Sequence, residues 1–355
     1  MKRKLLVAIP LLILVVIAAW IVRPKHEYIG EAYVSTRSTA LLSSVAQVRQ
    51  EVGELHYGEH VEMLAKRNEF VKIRTTAGTI GWVDAHQLMD PQLWQRSILL
   101  LKNAQGLPPQ ARGRTKVATN LRVEPGRSEA RLYQFGRGIP VEVVGRATAD
   151  WVQVSDEKDT ATPQETKKED WFLVRGEATR PPGETTARTG SAIPSTTTAP
   201  GDGSVPIAGW VVARFVEFEV PDAVREGASS ANVRPVAWFE LNRVPDESGE
   251  KPQYLLAGAR GPEGQACDFT NLRVFTWNKK KTRYETAFIE NNLCGALPIL
   301  LMQGPKGEPE FRFKVMDGDR GERGYRLIQT VVRRVRKPEA DAKPPGAASA
   351  SKKVK

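Results

Sequence analysis

The tripeptide Gly-Trp-Val occurs twice, at Gly81-Trp82-Val83 and at Gly209-Trp210-Val211, and each copy closes a run of short alternating segments that can be laid over the other. This duplication constrains the fold more than composition does, because the chain must build one small β-rich unit twice. Gly58-Glu59-His60-Val61-Glu62-Met63-Leu64 aligns with Gly138-Ile139-Pro140-Val141-Glu142-Val143-Val144 at an offset of 80. Phe70-Val71-Lys72-Ile73 aligns with Trp151-Val152-Gln153-Val154 at 81, and the Gly-Trp-Val copies at 128, so about 47 extra residues enter the second unit. Within the insert, Ser155 to Glu169 is charged and turn-like, Asp170-Trp171-Phe172-Leu173-Val174 reads as an added strand, and Gly176 to Pro206 has the Thr/Pro/Gly/Ser composition of a flexible loop. The pattern points to two small β-barrel binding modules rather than to a catalytic centre.

The ends differ from the middle. Residues 1–25 carry five basic and no acidic side chains, and residues 333–355 eight basic and two acidic, which accounts for the whole net charge of +11. A nucleic-acid reader needs its positive charge on a folded face, so no specific nucleic-acid partner is expected, and residues 337–355 read as a disordered basic tail. Leu5 to Val22 is apolar apart from Pro10; at about 1.5 Å per residue such a helix approaches the hydrocarbon thickness of a bilayer. Residues 1–25 are therefore expected to form a membrane anchor or signal segment, the anchor being the preferred alternative. Membrane contact through residues 5–22 would make a single-pass protein of the cytoplasmic membrane with its bulk outside the cytoplasm.

The first module is expected over residues 31–90, with a linker helix over 91–106: Asp90 is a natural N-cap, Pro91 suits the first helical position, and Gly106 lies past the end. The second module is expected over 115–220 with a flexible insert at 155–206. Its opening Asn120-Leu121-Arg122-Val123-Glu124-Pro125-Gly126, with Gly138, the Trp151 strand and the closing Gly209-Trp210-Val211, resembles the bacterial SH3 family. The first module is similar only in its back half. The resemblance implies five-to-six-stranded barrels that bind peptides or cell-wall components. The ligand-binding candidates are Arg122, as a carboxylate partner, with Trp151, Trp171 and Trp210, while Gly81, Trp82 and Gly209 are expected to be structural.

Residues 232–336 resemble no known family. Seven strand-like runs from Val236 to Val335, separated by turn clusters, predict an antiparallel β domain. Cys267 and Cys294 are disulfide candidates if the chain is exported, two buried thiols being the alternative. The fold class expected is thus mainly β: an N-terminal transmembrane helix, two SH3-like barrels joined by a helix, and the antiparallel domain.

Bacterial SH3 modules often accompany cell-wall amidopeptidases, so a Cys-His pair is the first chemistry to test. All four histidines (His26, His56, His60, His86) lie in the first 90 residues and precede Cys267 by at least 180 positions, the reverse of the papain-like order. His56 and His60 lack evident further metal ligands, and no nucleophile elbow or phosphate loop is present. No cofactor or metal is expected. The reading is a non-catalytic binding protein with a cell-wall peptide or an envelope protein as partner; the alternatives are an envelope scaffold and an enzyme in the C-terminal domain.

Overall fold

The computed structural model of the chain describes residues 28–151, 167–178, 204–316 and 321–335. It divides into two compact units, one of Met1–Arg96 with Ala178–Val205 and the other of Ser97–Glu177 with Pro206–Lys355.

The first unit contains β1 (Gly30–Val34), β2 (Ser38–Leu42), β3 (Glu51–His56), β4 (His60–Arg67), β5 (Phe70–Thr75), β6 (Ile80–Asp84), a 3-10 turn at Ala85–Gln87, and β7 (Leu88–Met89). The strands form one antiparallel sheet in the order β3-β2-β6-β5-β4-β1-β7. Alternate residues point inward, and Ala32, Val34, Leu41, Leu55, Val61, Val71, Ile73 and Val83 make the core. Helix α1 (Pro91–Gln105) follows; Asp90 Oδ1 accepts the Leu93 N–H at 2.8 Å as its N-cap, and Trp94 stacks on Tyr33 with ring centroids 4.8 Å apart.

In the second unit, β8 (Ala111–Thr115), β9 (Thr119–Arg122), β10 (Arg131–Phe135), β11 (Pro140–Trp151), β12 (Lys167–Ala178), β13 (Val205–Val212), a 3-10 turn at Ala213–Phe215, and β14 (Val216–Phe218) repeat that arrangement strand for strand. The order is β10-β9-β13-β12-β11-β8-β14. The duplicated glycines have one cause. A β carbon on Gly81 would lie 2.5 Å from Leu41 Cγ, and one on Gly209 would lie 2.9 Å from Leu121 Cβ. In each sheet β6 or β13 crosses so close to its neighbour that only glycine fits. Both copies also carry a bulge at the same place, between Met63 and Ala65 and between Val143 and Gly145.

The pairing changes the sequence alignment. Met63 faces Ile73 and Arg67 faces Phe70, whereas Val143 faces Val174 and Ala147 faces Trp171. The counterpart of Phe70–Ile73 is therefore Trp171–Val174, and the run read as an added strand is the strand of the repeat itself. Trp151 lies beyond it, on a β11–β12 hairpin extended by pairing as far as Trp151 with Lys167. Of the predicted insert, residues 155–166 and 179–203 lie outside the described residues, as do the tail at 337–355 and residues 1–27.

Two expectations are corrected. Neither repeat closes into a barrel: each is an open seven-stranded sheet with two unpaired edges, β3 and β7 in one and β10 and β14 in the other. Closure would require these edge strands to pair with each other, and no pairing joins β3 to β7 or β10 to β14 among the described residues. The transmembrane helix and signal anchor are likewise unsupported, because among the described residues no helix is long and apolar enough to cross a membrane. Helix α1 has 15 residues and includes Arg96 and Lys102, where a span needs about 20 apolar ones. The single-pass, extracytoplasmic localisation built on that anchor is withdrawn.

The second unit continues through α2 (Asp222–Ala231) into β15 (Arg234–Val244), β16 (Lys251–Ala259), β17 (Asn271–Asn278) and β18 (Arg283–Glu290), one antiparallel meander. A second meander holds β19 (Gly295–Gln303), β20 (Pro309–Val315), β21 (Gly321–Ile328) and β22 (Val331–Val335). There are eight strands rather than seven, because the chain reverses at Gln329, which adopts φ 56°. On β16, Leu255 and Ala257 face Phe269, Phe311 and Phe313 between the sheets, while Tyr254 and Leu256 face Val224 and Ala228 of α2.

Gln110 ties these sheets to the second repeat. It is fully buried, its carbonyl accepts the Trp238 N–H of β15 at 3.0 Å, and its side-chain amide bonds the Ile299 N–H (2.8 Å) and carbonyl (3.3 Å) of β19. One glutamine thus stands in for a strand between two open edges, so the repeat and the two meanders share one framework.

Candidate ligand groove of the second repeat

Side chains on β11 and β12 alternate between two environments. Trp151, Lys167, Glu169 and Trp171 share one face, and Lys168 and Asp170 the other. On the first face Trp171 is only 1% exposed and belongs to the core, whereas Trp151 is half-buried and walls a groove of about 390 Å³ with Lys167, Lys168, Glu169, Arg214, Pro262 and Glu263.

Glu169 organises the groove. Its carboxylate side chain is 2% exposed, and Arg127 grips it with Nε at 2.8 Å and Nη2 at 3.0 Å, while Arg214 Nη2 lies 3.0 Å from the same carboxylate. That bonding raises the Arg127 pKa above its ordinary value, against the opposing effect of burial. The clamped guanidiniums lie against the indole, with their central carbons 4.5 Å (Arg127) and 5.9 Å (Arg214) from the Trp151 ring centroid. Arg214 also reaches Glu263 at 3.5 Å.

The far wall is the loop Arg260–Asp268, held from the opposite face of β12. Asp170 accepts the Gly264 N–H at 2.8 Å and pairs with Arg146 at 2.5 Å and Arg234 at 3.4 Å. Arg146, 2% exposed, bonds Asp268 (3.0 Å), the Cys267 carbonyl (3.1 Å) and the Gln265 carbonyl (3.0 Å). Gly264 is required here, since its φ is +81° and a β carbon would lie 2.3 Å from Lys168 Cβ. A disulfide joins Cys267 to Cys294 at the base of the loop. Burial raises the Asp268 carboxyl pKa, opposed by the Leu297 N–H and by Arg146.

The predicted residues do not converge. Arg122 Nη1 donates to the Glu129 carbonyl across the β9–β10 turn, and burial lowers its pKa. Trp210 is half-buried and packs with Val144, Leu173 and Ala208 against Leu101 and Ala104 of α1. Only Trp151 lines the groove; the cation beside it is Arg127, from the same turn as the Asn120–Gly126 segment, rather than Arg122. Arg127, Glu169 and Arg214 escaped the sequence reading, although a signal existed. Position 214 aligns with His86, and by the observed pairing 169 aligns with Asn68, so the first repeat lacks the charges that the second carries.

Other concavities are less organised. A groove of about 670 Å³ at the β17–β18 turn is lined by Asp246, Ser248, Trp277 and Lys279, but the Trp277 indole N–H is already bonded to Asp246 at 2.9 Å.

No family model matches the chain, and no curated protein matches it. Among solved structures it is similar to NlpC2 from Trichomonas vaginalis, at 10% identity and TM-score 0.16, covering 74% of this chain and 97% of that one. It is also similar to an NlpC/P60 family protein from Bacillus cereus, at 10% identity and TM-score 0.20, covering 74% and 94%. Superposition at this level assigns neither fold nor activity.

Proposed function

We propose that this chain is a non-catalytic binding protein whose second repeat holds a peptide in the Trp151 groove, cell-wall stem peptides being the class to which its bacterial SH3 resemblance points. The observation that carries this reading is the pair of guanidiniums fixed on one indole by a buried carboxylate. Such a surface has its rotamers set before a ligand arrives, which lowers the entropy cost of binding. In this reading the Cys267–Cys294 disulfide is structural, bracing the loop that forms the groove's far wall.

Calorimetric titration of the full chain with soluble peptidoglycan fragments tests the proposal. Saturable binding that disappears in Trp151→Ala is the expected result. Absence of saturable heat, or equal binding by Trp151→Ala, overturns it, and a co-purifying envelope protein would then favour the scaffold role.

A further inference from the structure

The donor inventory of the groove specifies its ligand beyond "peptide". Glu169 occupies Nε and Nη2 of Arg127 and Nη2 of Arg214. Glu263 stands at 3.5 Å from Arg214 Nη1, too long for a strong charge-assisted bond. Among the described residues, Arg127 Nη1 and Arg214 Nε have no acceptor, and neither Lys167 nor Lys168 has an ion-pair partner. Three cations, Arg127, Arg214 and Lys167, therefore meet two carboxylates beside one aromatic face, and one carboxylate, Glu169, is fully used. Arg214 lines the groove and is 36% exposed, and Arg127, 42% exposed, lies against the Trp151 ring that walls it.

We infer that the groove recognises a carboxylate of its ligand, received by the spare donors of Arg214 and Arg127 beside Trp151, with Lys167 supplying the surrounding positive field. This rests on the peptide-binding reading above and narrows it to acidic peptides or peptides with a free C-terminus. The planar fork of arginine suits a carboxylate better than an amide oxygen, because two N–H groups can meet two oxygens while the charge is neutralised. Glu169 has a second role in this arrangement: it holds together two like charges that would otherwise repel and splay.

The test compares one preparation of stem peptides before and after its carboxylates are converted to carboxamides, titrated into the full chain. Binding at least tenfold weaker for the amidated form supports the inference, as does several-fold weaker binding of the unmodified form by Lys167→Gln, whose exposed side chain does not support the fold. Binding of the acid form should also weaken with added salt, while that of the amidated form stays flat. Equal affinity for both forms overturns carboxylate recognition and leaves peptide binding standing. Failure of both forms to bind overturns the two together.

Discussion

Replacing Arg146 with methionine should cost far more than a salt bridge normally does. A surface ion pair contributes about 0–1 kcal/mol, but the Arg146 side chain is 2% exposed and its partners Asp170 and Asp268 are 5% and 14% exposed. Arg146→Met leaves two carboxylates in place with little access to water and strands the Gln265 and Cys267 carbonyls. Removing one partner of a buried pair costs roughly 3–5 kcal/mol, which for a unit of this size lowers Tm by about 6–20 °C. The effect should depend on pH with a defined sign. Burial already raises the Asp268 pKa, and loss of Arg146 raises it further. A raised carboxyl pKa means that the folded state binds the proton more tightly than the unfolded chain, so stability falls as pH rises. The deficit of Arg146→Met should thus be largest near neutrality and shrink on approach to the ordinary aspartate range, about pH 4. The assay is thermal unfolding of the full chain from pH 4 to 8, with hydrogen exchange at the Gly264 amide as the local readout. Arg146→Met/Asp170→Asn should recover part of the loss. A deficit below about 1 kcal/mol, or one independent of pH, would refute the argument that burial makes this network strong.

Three further outcomes follow from the same structure. Trp171→Ala should destabilise the second unit by about 3–5 kcal/mol in chemical denaturation, whereas Trp151→Ala should leave the midpoint nearly unchanged while abolishing ligand binding; similar midpoints for the two would contradict their placement in core and groove. Burial pushes the Glu310 carboxyl up, but hydrogen bonds from Arg326 and Arg312 outweigh it and its pKa falls below the ordinary value. The folded state therefore holds that carboxylate more strongly than the unfolded chain does, and its stabilisation is present above the ordinary glutamate range and lost as pH falls through the lowered value; Glu310→Gln should be less stable at pH 7 and show a shallower acid limb in pH-dependent unfolding. Gly81→Ala should cost about 1–3 kcal/mol and exceed Gly209→Ala, because the added carbon meets Leu41 at 2.5 Å in one repeat and Leu121 at 2.9 Å in the other; the reverse order in thermal melts would show that the tighter crossing relaxes more readily.

Much of the local structure could be read along the chain. The Asp90-Pro91 start of α1 and the period-two alternation of the strands depend on neighbours a few residues apart. Helix α2 was legible and was missed: Val224, Ala228 and Ala231 stand four and three residues apart on one buried face, a helical period hidden by its Gly and Ser content. The aromatic residues were harder. Trp151 and Trp171 flank the same insert and look alike in sequence, yet one lines a groove and the other fills the core. Choosing Trp151 as the repeat's strand rather than Trp171 moved the alignment by 20 residues, and no local signal opposes that choice.

The duplicated Gly-Trp-Val belongs to what the sequence determined alone. Each glycine records a close strand crossing, and two such crossings in matching contexts required two copies of one sheet. Tertiary structure decided the rest: whether those sheets close, and which side chains meet around Trp151. The reason is register. Arg127, Glu169 and Arg214 are brought within 3 Å by the pairing of strands that are distant along the chain, and the Arg260–Asp268 wall comes from the β16–β17 loop of a different sheet. Strand alternation says that a residue points to one face or the other; only the pairing says what waits there.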